Sequence, residues 1–287
     1  MSGKRPTRSA VAFIYLKRAL RWRRSNWPYI SGDCFADLAD YVYKPPRFRG
    51  KENEIARAKI IFCRSHDLQE MLDIYHSVIS AKVIITGNSD FEFHDYPSNI
   101  PTSVRALFLQ NSYISDNTKI YTIPIGIENF RLGVNGNPRL VRPRNKSMKI
   151  IPKILIGPLS PTHFARKNIL ETFPISSNNI DVLLTRLKPQ QYNNLSKNYL
   201  AIAAIRGNGV DTHRLWESLY RGVVPVVQKD DWWNSISDLF PHVAEIRNWN
   251  LFEIGEILKS DLKTYFDPKE IKPLWMPYWK DKILTFL

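Results

Sequence analysis

The chain has 287 residues, of which 44% are hydrophobic and 24% charged, the balance of a globular protein with a substantial core. Its 41 lysines and arginines exceed its 27 aspartates and glutamates by 14. This excess favours an anionic partner, such as nucleic acid, an acidic membrane surface or a nucleotide or lipid diphosphate, over a purely solvated basic surface. Two cysteines, Cys34 and Cys63, exclude a disulfide framework and a four-ligand zinc site, which indicates a reducing compartment.

A basic segment lies near the start of the chain. Residues 11–27 predict an amphipathic helix that either lies on an anionic bilayer or packs with its cationic face in water. No stretch approaches the ~20 apolar residues of a membrane-spanning helix, and the apolar run at 11–16 is shorter than a signal-peptide core. We therefore expect a cytoplasmic protein that can attach peripherally to the inner face of a membrane.

Short apolar, β-rich runs alternate with helical patterns through the first half of the chain. The runs predict strands at residues 59–63, 83–86, 106–109 and 120–125, and an earlier strand that ends at 29–30. Helices are predicted at 35–43 and 68–80. Strands that alternate with helices favour a parallel sheet covered on both faces.

A linker and a second α/β unit follow. Residues 133–149 are rich in Gly, Asn, Pro and Arg and have little apolar periodicity, so they are the best linker candidate. Further strands are predicted at residues 154–156, 182–184, 200–205, 223–227 and 243–246. The helical, aromatic segment 251–287 is predicted to pack back on the first half, with coverage of the second half as the alternative.

The segment from Arg206 to Val227 carries the most specific pattern. A glycine loop, Gly207-Asn208-Gly209, precedes a predicted helix at 211–220 that Asp211 or Thr212 can cap. A helix start offers free backbone N–H groups and a positive dipole end, which suit a phosphate. Two arginines, Arg206 and Arg214, flank this helix start and can pair with phosphate oxygens in a fork geometry.

The stretch DTHRLWESLYRGVVPVV, residues 211–227, resembles the donor-binding segment of GT-B glycosyltransferases, above all exostosin-like and bacterial polysaccharide (O-antigen or capsule) enzymes. The matching residues are Asp211, Arg214, Glu217, Gly222, Pro225, Val226 and Val227. The resemblance implies that Glu217 binds hydroxyls of the donor's ribose or sugar and that the arginines bind its diphosphate. Many retaining members carry a second glutamate eight residues earlier. Here that position is Gly209, so we expect an inverting transfer.

Other candidate residues follow predicted strands, at the edge where open parallel sheets bind their ligands. Ser160 and Arg166 follow the strand at 154–156 and can contact phosphate oxygens. The alternative is that Ser160 belongs to a helix cap and that Arg166 is a solvated residue of the first turn of that helix. Asp33 and Asp90 occupy similar positions in the first half. Either can serve as the general base that accepts the proton of an attacking sugar hydroxyl, and either can instead be a helix cap or turn residue.

Together these patterns predict an α/β protein of two Rossmann-like domains with a cleft between them. The resemblance implies an acceptor-binding domain at 1–140, a nucleotide-sugar-binding domain at 150–250 and a helical segment at 251–287. The expected reaction moves a sugar from a nucleotide-diphosphate donor to a saccharide or lipid-linked saccharide acceptor. No His, Asp and Glu set has ligand spacing, so neither a metal nor another cofactor is expected.

Two other functions are compatible with the composition. One is a basic nucleic-acid-binding protein, although no helix-turn-helix, aromatic strand pattern or zinc finger supports it, so nucleic acid is not an expected partner. The other is a non-catalytic peripheral membrane protein with a transferase-like fold.

Overall fold

Short runs of β-branched and aliphatic residues form ten strands in the part of the chain that a computed structural model describes, which is residues 26–45, 52–114, 116, 118–133 and 135–287. Residues 11–25 of the predicted amphipathic helix lie outside it. The strands of the first half are β1 (Tyr41–Val42), β2 (Ile60–Arg64), β3 (Val83–Gly87), β4 (Ala106–Gln110) and β5 (Ile120–Ile123). Those of the second half are β6 (Ile151–Ile156), β7 (Ile180–Val182), β8 (Tyr199–Ala203), β9 (Val224–Gln228) and β10 (Ala244–Ile246).

The strands build two five-stranded sheets in which all neighbouring strands run parallel. The order in the first sheet is β1-β2-β3-β4-β5, and the order in the second is β10-β9-β8-β6-β7. Every residue of β3, β4 and β8 is buried. This burial explains why the strands read as continuous apolar runs, because a parallel sheet is covered on both faces.

Helices cover the sheets. In chain order they are α1 (Gly32–Ala36), α2 (Glu52–Arg57), α3 (Leu68–Tyr75), α4 (Phe164–Thr172), α5 (Pro189–Ser196), α6 (His213–Tyr220), α7 (Asp231–Asn234), α8 (Leu251–Lys259) and α9 (Met276–Leu284). Among the described residues, none of these helices has the length and apolar character needed to cross a bilayer.

The two faces of the first sheet belong to different apolar clusters. Ile61 and Ile84 pack in one cluster with Leu68 of α3. Their neighbours Phe62 and Ile85 belong to a second, larger cluster that extends into the other half. The division follows from the strand geometry, since successive side chains point to opposite faces of a sheet.

The end of the chain packs against the first sheet. The Trp279 ring lies 6.2 Å from the Phe35 ring, and the Phe286 ring lies 5.9 Å from the Phe108 ring. Arg105 Nη1 donates to the carbonyl of Phe286 at 3.3 Å. Segment 251–287 therefore contacts the first half, while the domain bounds at 1–140 and 150–250 remain a prediction.

The predicted helix at 35–43 is wrong. The helix ends at Ala36, and Tyr41 and Val42 pair with β2 as an edge strand. Aromatic and β-branched residues suit this pleated position, and the pairing partner lies too far along the chain for local periodicity to show it. In residues 26–30, which the structure describes, the strand expected to end at 29–30 is not formed, and Tyr29 makes only an isolated bridge to Trp275.

The remaining predicted strands are confirmed, with ends that differ by no more than three residues. The predicted helix at 68–80 is confirmed over its first two turns and ends at Tyr75.

Candidate functional site

A cleft of about 460 Å³ lies at the carboxyl-terminal edge of the second sheet. The loops that follow β6, β7 and β8 form most of its wall, and four residues of the first half and the linker complete it: Asp90, Ile125, Asn135 and Leu140. The order in which strands are added to the sheet reverses at β6, because β7 is added on one side of β6 and β8 on the other. Loops diverge at such a reversal and leave a crevice, which is where open α/β sheets bind ligands.

Arg166 of α4 lies in this cleft against the glycine loop. Its Nε and Nη2 donate to the carbonyl of Ile205 at 3.3 and 2.9 Å, and its Nη1 donates to Thr162 Oγ1 at 3.3 Å. A Cβ atom at Gly207 would lie only 3.0 Å from Nη2, so the close approach favours glycine at this position. Burial, followed by the charge of Arg214, lowers the pKa of Arg166 to about 10, which still leaves it cationic at neutral pH.

Two further arginines line the same part of the cleft. Arg214, in the first turn of α6, donates from Nη2 to the carbonyl of Pro158 at 2.9 Å. Arg186 follows β7 and is exposed. Among the described residues, neither these two arginines nor Arg166 has a carboxylate partner within ion-pair distance. The wall formed by the second half therefore presents positive charge that the protein leaves available.

The loop after β6 contributes Ser160, which is exposed and lines the cleft. Gly157 precedes it at a φ of +90°, and a Cβ there would lie 2.6 Å from the carbonyl oxygen of Leu183. Only glycine fits this left-handed position without strain. The turn carries Ser160 to the same wall as Arg166, and phosphate contact by either residue stays a prediction.

The glycine loop lines the cleft and is also bonded to the first half. Gly207, Asn208 and Gly209 all face the cleft. Asn208 Nδ2 donates to Asp90 Oδ2 at 3.3 Å. A Cβ at Gly209 would lie 3.0 Å from Asn111 Nδ2, so the absence of a side chain lets the loop pack on the first half.

Asp211 and Thr212 both border the cleft, but their polar atoms face the protein interior. Asp211 is 5% exposed and accepts hydrogen bonds from the backbone N–H of Ile125 at 2.6 Å and from Trp216 Nε1 at 2.7 Å. Burial raises its pKa to about 8, against the lowering effect of these hydrogen bonds. Thr212 is the N-cap residue of α6, yet its side chain makes no capping bond and its hydroxyl is buried without a partner among the described residues.

Arg206 does not line the cleft. Its Nη2 pairs with Glu92 Oε1 at 2.5 Å and its Nη1 donates to the Tyr113 hydroxyl at 3.0 Å. Both partners belong to the first half, so the structure uses Arg206 in a contact between the halves. A phosphate-binding role for this residue remains a prediction that its present partners do not favour.

Glu217 lies one turn beyond Arg214 and lines the cleft. Its Oε2 accepts from Arg221 Nη2 at 3.3 Å, and the side chain is 13% exposed. A carboxylate in this position can accept hydrogen bonds from ligand hydroxyls, which is the role that the sequence resemblance implies.

The structure separates the two candidate bases. Asp33 is ion-paired with Arg131 Nε at 2.7 Å, is bonded by Asn88 Nδ2 at 3.3 Å and does not line the cleft. Asp90 is exposed and lines the cleft. Of the two, Asp90 alone is placed to contact a group bound there.

The sequence reasoning missed several residues that line the cleft: Arg186, Tyr192, His213 and Arg221. Arg221 had a usable signal, because it lies seven residues after Arg214 and so on the same face of a helix. Arg186 and Tyr192 had none, since they reach the cleft only through the order of the strands. Among the described residues, no group of three or more His, Cys, Asp or Glu side chains is arranged to hold a metal ion.

No protein-family model matches the chain, and no curated protein matches its sequence. Among solved structures, the chain is similar to the crystal structure of TarM, with a TM-score of 0.40 and 12% sequence identity. The match covers 79% of this chain and 53% of the other, so the chain spans about half the length of that structure. The chain is an α/β protein with two five-stranded parallel sheets.

Proposed function

We propose that the chain is an inverting glycosyltransferase. It takes a sugar from a nucleotide-diphosphate donor bound in the cleft and passes it to a saccharide or lipid-linked saccharide acceptor in the synthesis of a surface polysaccharide. The observation that carries the proposal is the cluster of Arg166, Arg186 and Arg214 at the strand-order reversal, without carboxylate partners in the described part of the chain.

The charge balance of this wall supports a diphosphate ligand. Three carboxylates line the cleft: Asp211 is buried with a raised pKa, Glu217 lies beside Arg221, and Asp90 is bonded to Asn208. Among the described residues, none of them lies within ion-pair distance of Arg166, Arg186 or Arg214. Guanidinium groups bind phosphate oxygens through parallel N–H donors, and fixed positive charge stabilises a departing diphosphate as the glycosidic bond breaks.

The start of α6 adds to this wall. Thr212 occupies the N-cap position of the helix, and its side chain makes no capping hydrogen bond within the described part of the chain. The helix has eight residues, and its amino end provides backbone N–H donors and a partial positive charge. Arg214 from the same turn and Arg166 from α4 then hold the diphosphate from two sides.

Asp90 is the proposed general base. Asn208 Nδ2 donates to Asp90 Oδ2 at 3.3 Å, and this bond holds the carboxylate at the wall of the cleft. Asp90 accepts the proton of the acceptor hydroxyl while that oxygen forms a bond to the anomeric carbon. The bond between the anomeric carbon and the phosphate oxygen breaks, and the electron pair leaves with the nucleoside diphosphate.

Donor binding is tested by calorimetric titration with UDP, GDP, ADP, CDP and TDP. We expect one of them to bind and its affinity to fall about 10- to 100-fold in Arg166→Ala and in Arg214→Ala, the range for a lost hydrogen bond to a charged group. Arg247→Ala is the matched control, because Arg247 is exposed and lies outside the cleft. Affinity that is equal in the wild type and in both cleft variants would contradict the proposal.

The base is tested by the steady-state kinetics of sugar transfer. Asp90→Asn is expected to lower kcat by about 10²- to 10⁴-fold, the usual contribution of a general base, with the donor Kd unchanged. Asp33→Asn is the comparison, since loss of its Arg131 ion pair acts on stability instead. Tight nucleic-acid binding without nucleotide binding, or nucleotide binding without transfer to any saccharide, would favour the two alternative functions.

A further inference from the structure

The cleft continues beyond Glu217 along one face of α6 to Arg221. Arg214, Glu217 and Arg221 are spaced by three and four residues, so they share one face of the helix. At 1.5 Å per residue, the two arginines lie about 10 Å apart along the helix axis. The far end of the cleft, at Arg221, is therefore about two helical turns from the first turn of α6, which carries Arg214.

Two polar groups at this far end are buried and have no hydrogen-bond partner in the described part of the chain. They are Arg221 Nη1 and the Tyr192 hydroxyl. The Arg221 side chain is 3% exposed, and both residues line the cleft. Buried donors without an acceptor are rare and destabilising, so a ligand atom that accepts hydrogen bonds fits this position.

The rest of the Arg221 guanidinium is held firmly. Its Nε donates to Asn193 Oδ1 at 3.2 Å, and its Nη2 is shared between the Leu140 carbonyl at 3.4 Å and Glu217 Oε2 at 3.3 Å. The Tyr192 ring lies 5.6 Å from the Arg221 guanidinium carbon and 5.5 Å from that of Arg214. These contacts preorganise the two free donors, which lowers the entropic cost of binding.

Cations outnumber carboxylates around this end. Arg144 is 3% exposed, and its backbone N–H donates to the carbonyl of Arg221 at 2.8 Å. The Arg144 guanidinium has two nitrogens, Nε and Nη2, without a partner among the described residues. Burial, followed by the charges of Arg221 and Arg142, lowers the pKa of Lys197. Glu217 is the one carboxylate within ion-pair distance of Arg221 in the described residues, so an anion fits better than a neutral group.

We propose that the far end of the cleft is a second anion subsite, in which Arg221 Nη1 and the Tyr192 hydroxyl donate to a carboxylate or phosphate of a bound saccharide. The inference rests on the proposed function, because it takes the cleft as the site of sugar transfer. It adds that one of the two saccharide substrates is acidic. The anion can belong to the donor sugar or to the acceptor, and the chemistry recognised is the same.

The test compares methyl β-D-glucuronide with methyl β-D-glucoside, which differ at the carboxylate, by NMR titration of the full chain. We expect the glucuronide to bind at least about 10-fold more tightly. Tyr192→Phe should lower its affinity about 10- to 100-fold, the range for one hydrogen bond to a charged group, and Arg221→Lys should abolish the preference for the acid. Tyr96→Phe is the matched control, because Tyr96 is half-exposed and lies outside the cleft.

Nucleoside diphosphate binding separates this inference from the proposed function. Tyr192→Phe should leave that binding unchanged, whereas Arg166→Ala should weaken it and leave the glucuronide unaffected. If the glucuronide competes with an intact nucleotide sugar but not with the nucleoside diphosphate, the anion belongs to the donor sugar. Simultaneous binding of glucuronide and nucleotide sugar assigns it to the acceptor.

Equal affinities for glucuronide and glucoside would overturn the inference. So would a Tyr192→Phe variant that binds the glucuronide as the wild type does. Should Arg221→Lys fail to fold, the Tyr192→Phe result decides, since that variant keeps the ring and its packing.

Discussion

The two sheets contain the same number of parallel strands and connect them differently. The first places β1 to β5 side by side in chain order, whereas the second starts near its middle and adds strands on both sides. Right-handed crossovers that proceed in one direction place their helices on one face of a sheet. A reversal sends the connections to both faces and opens a crevice between them, and the cleft lies at that reversal.

The connections between strands of the first sheet cover one of its faces, so the other face must be covered by helices from elsewhere in the chain. One face packs on α2 and α3 through Ile55, Leu68 and Met71. The other face shares a cluster with Phe35 of α1 and Trp279 of α9, at the far end of the chain. The comparison teaches that a sheet whose strands follow chain order needs a helix from elsewhere in the chain to cover one face. A sheet whose strand order reverses has its own connecting helices on both faces and a crevice between them.

The polar residues at the strand ends differ in the same way. In the first half they bond to one another: Asn129 Nδ2 donates to Asn88 Oδ1 at 2.7 Å, and Asp33 pairs with Arg131. In the second half, Arg166 and Arg214 bond only to neutral oxygens. These first-half side chains therefore satisfy one another, whereas Arg166 and Arg214 have no carboxylate partner among the described residues.

Removal of the contact between α9 and the first sheet should have the largest effect on stability. Trp279→Ala deletes a fully buried ring that packs on Phe35, and we expect it to lower the free energy of unfolding by about 3–5 kcal/mol. Urea denaturation measures the loss. Lys280→Ala, one residue away and exposed, should change stability by no more than about 0.5 kcal/mol.

Hydrogen exchange locates the effect of Trp279→Ala. Amides of β3 and β4 should lose protection before those of β8 and β9. A uniform loss across both sheets would break the comparison, because it would mean that the two halves unfold as one unit.

The pH dependence of stability tests the bond between the halves at Asp211. Burial raises the pKa of this carboxyl from 3.8 to about 8 in the folded protein. Its contribution to stability is complete below about pH 4 and is lost as the pH rises through about 8, because the unfolded chain releases the proton first. Each tenfold difference in proton affinity between the folded and unfolded chain corresponds to about 1.4 kcal/mol, so stability changes by a few kcal/mol across this range.

Asp211→Asn isolates that contribution. The amide cannot titrate, so the difference in unfolding free energy between wild type and variant should vary between pH 4 and 8. Denaturation curves at several pH values measure it. Parallel pH profiles for the two proteins would show that the hydrogen bonds to this carboxyl outweigh burial and hold it ionised.

The smallest expected effect concerns Arg206. Because Arg206 pairs with Glu92 across the halves and both side chains are largely buried, Arg206→Ala should cost about 1–3 kcal/mol of stability. We expect nucleoside diphosphate affinity to stay at the wild-type value. Glu92→Gln is the matched variant, and the two single changes and their double variant form a cycle. An affinity loss as large as that of Arg166→Ala would place Arg206 in the donor site, as the sequence predicted.

Local signals account for what the sequence predicted well. Nine strands lie close to their expected positions, because a buried parallel strand reads as an apolar run. The glycine loop and α6 were also found, and Ser160, Arg166, Arg214 and Glu217 all line one cleft. The edge strand β1 was missed because its two residues are defined only by their partner strand.

The sequence by itself determined that the chain forms two α/β units with parallel sheets and that a glycine loop precedes an arginine-bearing helix. These features follow from apolar runs, glycines and helix starts, each of which involves only a few neighbouring residues. Only the tertiary structure decided which charges meet. The strand order joins Arg186 and Tyr192 to the cleft, while the contact between the halves occupies Arg206 with Glu92 and buries Asp211. The physical reason is that the partner of a charge depends on residues far away in the chain, which no local pattern records.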